Sequence, residues 1–176
     1  QGGILVDCGV AFSTLRPVLR DIRLVLLTHR HGDHFNRSTV RSLAEQRPTV
    51  RFCCREWMVP LLLDAGVRKQ NIDVVPGKDY LGYREIKVSV KAVDLVHDVP
   101  NCGWDIRYGN TERVFYATDT GTLDGIKAPG YDLYMIEANH TREDIERRAA
   151  EQQERGDYAY EVRGAAHQPS RAQALG

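Results

Sequence analysis

The chain has 176 residues, enough for one domain with a sizeable core, and its 24 basic and 24 acidic side chains cancel. No global field therefore draws a polyanion in, which counts against tight, salt-sensitive binding of long duplex nucleic acid. There is no apolar run long enough to span a bilayer and no signal-peptide pattern, and the cysteines lack paired metal-like spacing, so reduced thiols in a cytoplasmic protein are expected.

In chain order, strands are expected at 3–7, 22–28, 49–54, 72–75, 85–93, 104–108, 113–118 and 132–137. Helices near 38–46, 56–65 and 141–155 separate them, the last densely charged and stopped by Gly156. Asn110-Thr111-Glu112 reads as a hairpin tip. Asp7 closes the first strand. The apolar second strand runs directly into His29-Arg30-His31-Gly32-Asp33-His34, so half of the six histidines fall within six positions. Alternate side chains of an extended segment point the same way, so His29 and His31 can reach one point. Gly32 lets the backbone turn, and Asp33 and His34 can then aim at a second point before a helix begins. Two imidazoles at one point and a carboxylate plus an imidazole at another suit a two-metal site.

A two-metal site needs further ligands at other strand ends, and candidates stand there. His97 and Asp98 follow the strand ending near 93. Asp119 follows the strand ending near 118, within Thr118-Asp119-Thr120-Gly121. Glu137-Ala138-Asn139-His140 closes the last strand, and His167 stands alone near the C-terminus. Asp119 also suits a turn beside Thr120-Gly121, and His140 also suits the approach to a helix capped near Thr141. Arg30, Arg37 and Arg41 lie beside the histidine string and could line a groove for a few phosphates. Asp157-Tyr158-Ala159-Tyr160 could pack over the site or stack on a base.

With these strings in place, the chain resembles a metallo-β-lactamase-fold hydrolase over almost its whole length. The resemblance implies a four-layer αβ/βα sandwich, here a single domain over 1–176 trimmed at both ends, because the family usually has strands before Asp7 and more structure after the last ligand. It implies His29, His31 and His97 on one divalent ion, Asp33, His34 and His167 on the other, and Asp119 bridging both. His167 departs from the pattern, since Gln168-Pro169 stand between it and Ser170. Asp7 matches an aspartate that orients a ligating histidine. Within the family, His97-Asp98 with Pro100 and Gly103, Ala117-Thr118-Asp119-Thr120-Gly121 and Ile136-Glu137-Ala138-Asn139-His140 resemble the YycJ-like (WalJ-like) branch, associated with DNA exonuclease activity, and related phage-borne hydrolases.

The resemblance implies a metal-dependent hydrolase whose paired ions activate water, with a phosphodiester in DNA or RNA as the expected substrate. Zinc is the first choice of metal, with manganese or iron admitted by the mixed nitrogen and oxygen ligands. Asp33 would take a proton from the attacking water and His140 would protonate the leaving group. In lactam-cleaving relatives the bridging aspartate is missing and a cysteine often serves one metal, whereas no cysteine of this chain occupies that position. Two alternatives stay open: a thioester hydrolase of the glyoxalase II kind, and a metal-binding, phosphate-sensing module without turnover.

Overall fold

The computed structural model describes residues 3–109 and 111–137. The expected helix at 141–155, the aromatic segment at 157–160, His140 and His167 lie outside the described residues. The strands form two sheets. In the first, β1 (Gly3–Val6), β2 (Ile22–Leu26), β3 (Arg51–Cys54) and β4 (Ile72–Val74) run parallel in that order. In the second, β5 (Leu81–Tyr83), β6 (Val88–Leu95), β7 (Asn101–Tyr108) and β8 (Glu112–Ala117) are antiparallel, and β9 (Leu133–Ile136) returns parallel to β8.

The apolar character of β2 and β3 follows from cover on both faces. Leu24, Leu26 and Cys53 face the second sheet and pack with Val88, Val90, Ala92, Cys102, Trp104 and Ile106. Their chain neighbours Val25, Leu27, Phe52 and Cys54 face the other way, into a core with Val40, Leu43, Met58 and Leu62. Those last four belong to the helical layer: α2 (Arg37–Gln46), a 3-10 turn at Glu56–Met58 and α3 (Val59–Asp64). The period-2 geometry thus sends Cys53 and Cys54 to opposite faces of one sheet, and all four cysteines are buried free thiols. Burial of Trp104 and Phe52 contributes about 1.5–3 kcal/mol each.

Several expected boundaries move. The strand expected from 85 starts at Val88, because Arg84–Ile86 form a 3-10 turn and Lys87 sits at φ 54°, outside strand geometry. The short edge strand β5 and the one-turn helix α1 (Phe12–Leu15) were not expected. β7 begins three residues earlier than expected, at Asn101, and Glu112 belongs to β8 opposite Tyr108. The helix expected from 38 starts at Arg37, capped by the Asn36 side chain, which accepts from the Ser38 and Thr39 amides at 3.1 Å. No helix of the described residues is long and apolar enough to cross a membrane.

Both sheets end on the same side. The chain leaves β2 towards the histidine string there, and β6 and β8 lead to His97 and Asp119. The fold therefore concentrates the chemistry at one rim.

Candidate metal centre

The histidine string is anchored to the end of β1. The Cys8 amide donates to the His34 carbonyl at 2.7 Å, and the Asn36 amide donates to the Cys8 carbonyl at 3.0 Å. Gly9 is required at this crossing: a Cβ there would lie 1.6 Å from the Asp33 carbonyl oxygen. The turn itself closes on His31, whose carbonyl accepts from the His34 and Phe35 amides at 2.9 and 2.7 Å. His97 is carried by a loop tied to the Asp119 loop. The Val96 amide donates to Thr120 Oγ1 at 3.2 Å, and the Gly121 amide donates to the Val96 carbonyl at 2.7 Å.

These loops bring His29, His31 and His97 together as one group of ligand atoms, and His29, His34 and Asp119 as a second. The rings of His29, His31 and His97 stand with centroids 4.9–5.0 Å apart and planes 77–81° to one another. His97 Nε2 is 3.2 Å from His31 Nδ1. Asp119 Oδ2 is 3.4 Å from His29 Nε2 and 2.7 Å from His34 Nε2. Two ligands on one zinc at about 2.1 Å each can be no more than about 4.2 Å apart, and all three separations fall inside that limit.

The hydrogen bonds fix which nitrogens are offered. Asp7 accepts from the Thr28 amide and from the Thr28 hydroxyl, both at 2.9 Å. Having spent its one proton on Asp7, the Thr28 hydroxyl can only accept from His29 Nδ1, 3.0 Å away. His29 Nε2 is then an unprotonated, fully buried acceptor with no hydrogen-bond partner among the described residues. Such an orphan lone pair inside a histidine cluster fits a cation. His34 uses Nδ1 to donate to Asp7 Oδ2 at 2.7 Å, so one aspartate orients both histidines and Nε2 of each faces Asp119.

Among the described residues, Asp7 and Asp119 are two of the three non-glycine residues with positive φ, at 60° and 50°. Left-handed backbone at such residues costs on the order of 1–3 kcal/mol and persists only where surrounding contacts enforce it. At Asp119 they do. The Asn101 side-chain amide donates to the Thr118 and Asp119 carbonyls at 3.0 and 2.8 Å, and the Asp119 amide donates to Glu137 Oε2 at 2.8 Å.

The electrostatics of the two groups differ. Burial, then the charge on His34, pushes His29 down to about 4, so it is neutral at pH 7. Burial likewise lowers His97. Burial also opposes a charge on His34, but hydrogen bonds to Asp119 and Asp7 outweigh it and push His34 up to about 10. The Asp119 carboxyl is held well below the usual range, by the His34 hydrogen bond first, against burial and with help from Glu137.

Not every expected residue joins the centre as the resemblance implied: Asp119, expected to bridge, groups with His29 and His34 and not with His31 or His97. Asp33 is exposed, with Oδ2 3.6 Å from His34 Nε2, and belongs to neither ligand group. Asp98, outside both ligand groups, reaches His97 Nε2 at 3.0 Å and His31 Nε2 at 3.6 Å. Of the arginines beside the histidine string, Arg37 pairs with Asp64 at 3.0 Å and Arg41 donates to the Ala65 carbonyl, both at the end of α3. Thr28 and Asn101 were missed, because their partners lie 17–21 residues away and no local pattern marks them. A cavity of about 940 Å³ lies at the opposite end, beside Arg23 and Arg51 where β2 and β3 begin. There Asp73 already pairs with Arg51 and accepts from Tyr83, and among the described residues no buried side-chain polar atom lining the cavity is without a partner.

Known structures share this architecture. The metallo-β-lactamase-fold protein YhfI from Bacillus subtilis aligns with TM-score 0.64 and 19% identity over 80% of this chain and 61% of that one. Human tRNase Z, short form, aligns with TM-score 0.61 and 17% identity over 97% of this chain and 74% of that one. A diphosphatase of the PhnP family aligns with TM-score 0.52 and 20% identity over 77% of this chain and 56% of that one. The chain thus spans less than two thirds of the length of YhfI and of the diphosphatase. No curated protein matches by sequence. The family described as the beta-lactamase superfamily domain matches residues 3–168. The two-sheet fold carries the metallo-β-lactamase arrangement, and the chain belongs to the beta-lactamase superfamily.

Proposed function

We propose that the chain is a metal-dependent phosphodiesterase acting on nucleic acid, in the exonuclease branch that its Glu137-Ala138-Asn139-His140 string resembles. The observation that carries this reading is the pair of ligand groups meeting at His29, one of three imidazoles and one of two imidazoles with a carboxylate. His29, His31 and His97 would hold one divalent ion; His34 and Asp119, with Asp33 and His167, would hold the second. When bound, such a pair supplies a water acidic enough to ionise near neutral pH and a counter-charge for a phosphoryl oxygen.

The chain's own groups do the rest. Asp7 keeps His29, through Thr28, and His34 in the tautomers that present Nε2. Asp119 sets a carboxylate between the two histidines, where lactam-cleaving relatives lack this residue, and that favours two positively charged centres gripping a phosphate. Asp33, exposed beside His34, takes the proton of the attacking water, and His140 protonates the leaving oxygen. The fold likeness to human tRNase Z and to a PhnP-family diphosphatase supports phosphorus chemistry. Zinc is the expected ion and manganese the second choice.

The test is hydrolysis of a bis-aryl phosphodiester and of single-stranded DNA and RNA by the full-length protein with zinc or manganese. Asp119→Ala is expected to abolish turnover while leaving the far-ultraviolet circular dichroism unchanged. Robust thioester cleavage beside inert phosphodiesters would replace this reading, and two bound ions with no turnover of any of these substrates would end the hydrolase reading.

A further inference from the structure

We infer that Glu137 is a positioning residue, whose carboxylate holds the backbone of Asp119 in the left-handed conformation that turns the Asp119 side chain towards His29 and His34. The inference rests on the two-metal reading, but concerns a residue outside both ligand groups.

Asp119 sits at φ 50°, a left-handed conformation that aspartate adopts more readily than most residues but that still costs free energy unless neighbours hold it. Both of its backbone polar groups are engaged. Its carbonyl accepts from Asn101 Nδ2 at 2.8 Å, and its amide donates to Glu137 Oε2 at 2.8 Å. The acceptor is a carboxylate, so the second bond is the charge-assisted one. Glu137 is itself set by the sheet. Ala117 pairs with Ile136 in the parallel register, and the Glu137 amide donates to the Ala117 carbonyl at 3.0 Å. The end of β9 therefore reaches over the end of β8 and grips the turn that follows it. Asn101, at the start of β7, grips the same turn from the other side.

Released from Glu137, residue 119 would relax towards ordinary backbone and swing its carboxylate off the His29–His34 pair. The three-histidine group, which uses neither Asp119 nor β9, would be untouched. The expected defect is thus confined to one of two ions.

The experiment is zinc titration of the metal-stripped, full-length chain by calorimetry, with elemental analysis of the loaded protein. Wild type is expected to take two ions. Glu137→Gln keeps an oxygen acceptor in the same place and should bind both within about threefold of wild type. Glu137→Ala should weaken one ion by about 10–100-fold and leave the other within about threefold. Its metal-free unfolding temperature should stay near that of wild type, because relief of strain at residue 119 offsets the lost hydrogen bond. Unchanged affinity for both ions in Glu137→Ala would overturn the inference, as would equal weakening of both ions or a Glu137→Gln variant as defective as Glu137→Ala. A wild-type chain that takes up no zinc would overturn the two-metal reading, and the role of Glu137 with it.

Discussion

The two ligand groups share His29 yet are prepared for a cation in opposite ways. Around His29, His31 and His97 the rings stand nearly perpendicular, and burial keeps His29 and His97 neutral. Around His34 the imidazole is clasped at both nitrogens by carboxylates, Asp7 and Asp119, each 2.7 Å away, and it keeps its charge. The first group offers the buried His29 Nε2 lone pair without a competing proton. The second holds a proton in the place a metal would take. Burial alone makes a ready site, and burial with carboxylates makes one gated by pH.

The largest effect should come from the shared residue. His29→Ala removes a ligand of the three-histidine ion and a buried neighbour of the second group, so the zinc content should fall from two ions towards one and phosphodiester turnover by about 10³-fold or more. Retention of two tightly bound ions, read by elemental analysis, would show that His29 is not a ligand.

Asp7→Asn separates them. It takes the carboxylate from His34 Nδ1 while preserving the size of the side chain, and should weaken the second ion by about 10–100-fold. The three-histidine ion should be affected less, since Asp7 reaches His29 only through the Thr28 hydroxyl. Equal losses in a zinc titration would mean that Asp7 supports the whole rim and not His34 in particular.

The smallest effect is a difference in slope. Uptake beside His34 displaces a proton held up to about 10, so that affinity should rise by at most about tenfold per pH unit from pH 7 to 9 and level off above His34's folded value. His29, neutral above about 4, adds no such slope to the other ion. The metal-free chain should show the complementary trend. A folded value raised above the unfolded one of about 6.5 stabilises fully below pH 6.5, and this contribution fades as pH climbs through about 10. Parallel pH slopes for the two ions would remove the distinction between the groups.

Much of the rim was legible because its signals are local. The string from His29 to His34 follows a buried strand, and the alternation of β2 and β3 assigns each side chain to a face. Asn36 announces the start of α2 by its capping chemistry. The one-turn helix α1 and the three-residue β5 are too short to impose a period, and the left-handed Lys87 leaves no mark in composition. Glu137 was visible as a strand-end carboxylate, but its hold on the Asp119 amide is a contact across 18 residues that spacing does not encode.

Where ligand-bearing loops leave their strands, and which side chains share a face, can be read along the chain, because both follow from periodicity within a few residues. Folding in three dimensions brings His97 and Asp119 onto His29, lets Asp7 orient His29 through Thr28 and His34 directly, and sets Asp119 in a left-handed backbone gripped by Asn101 and Glu137. Those outcomes depend on two sheets packing with their ends in register, and on hydrogen bonds between residues far apart in the chain.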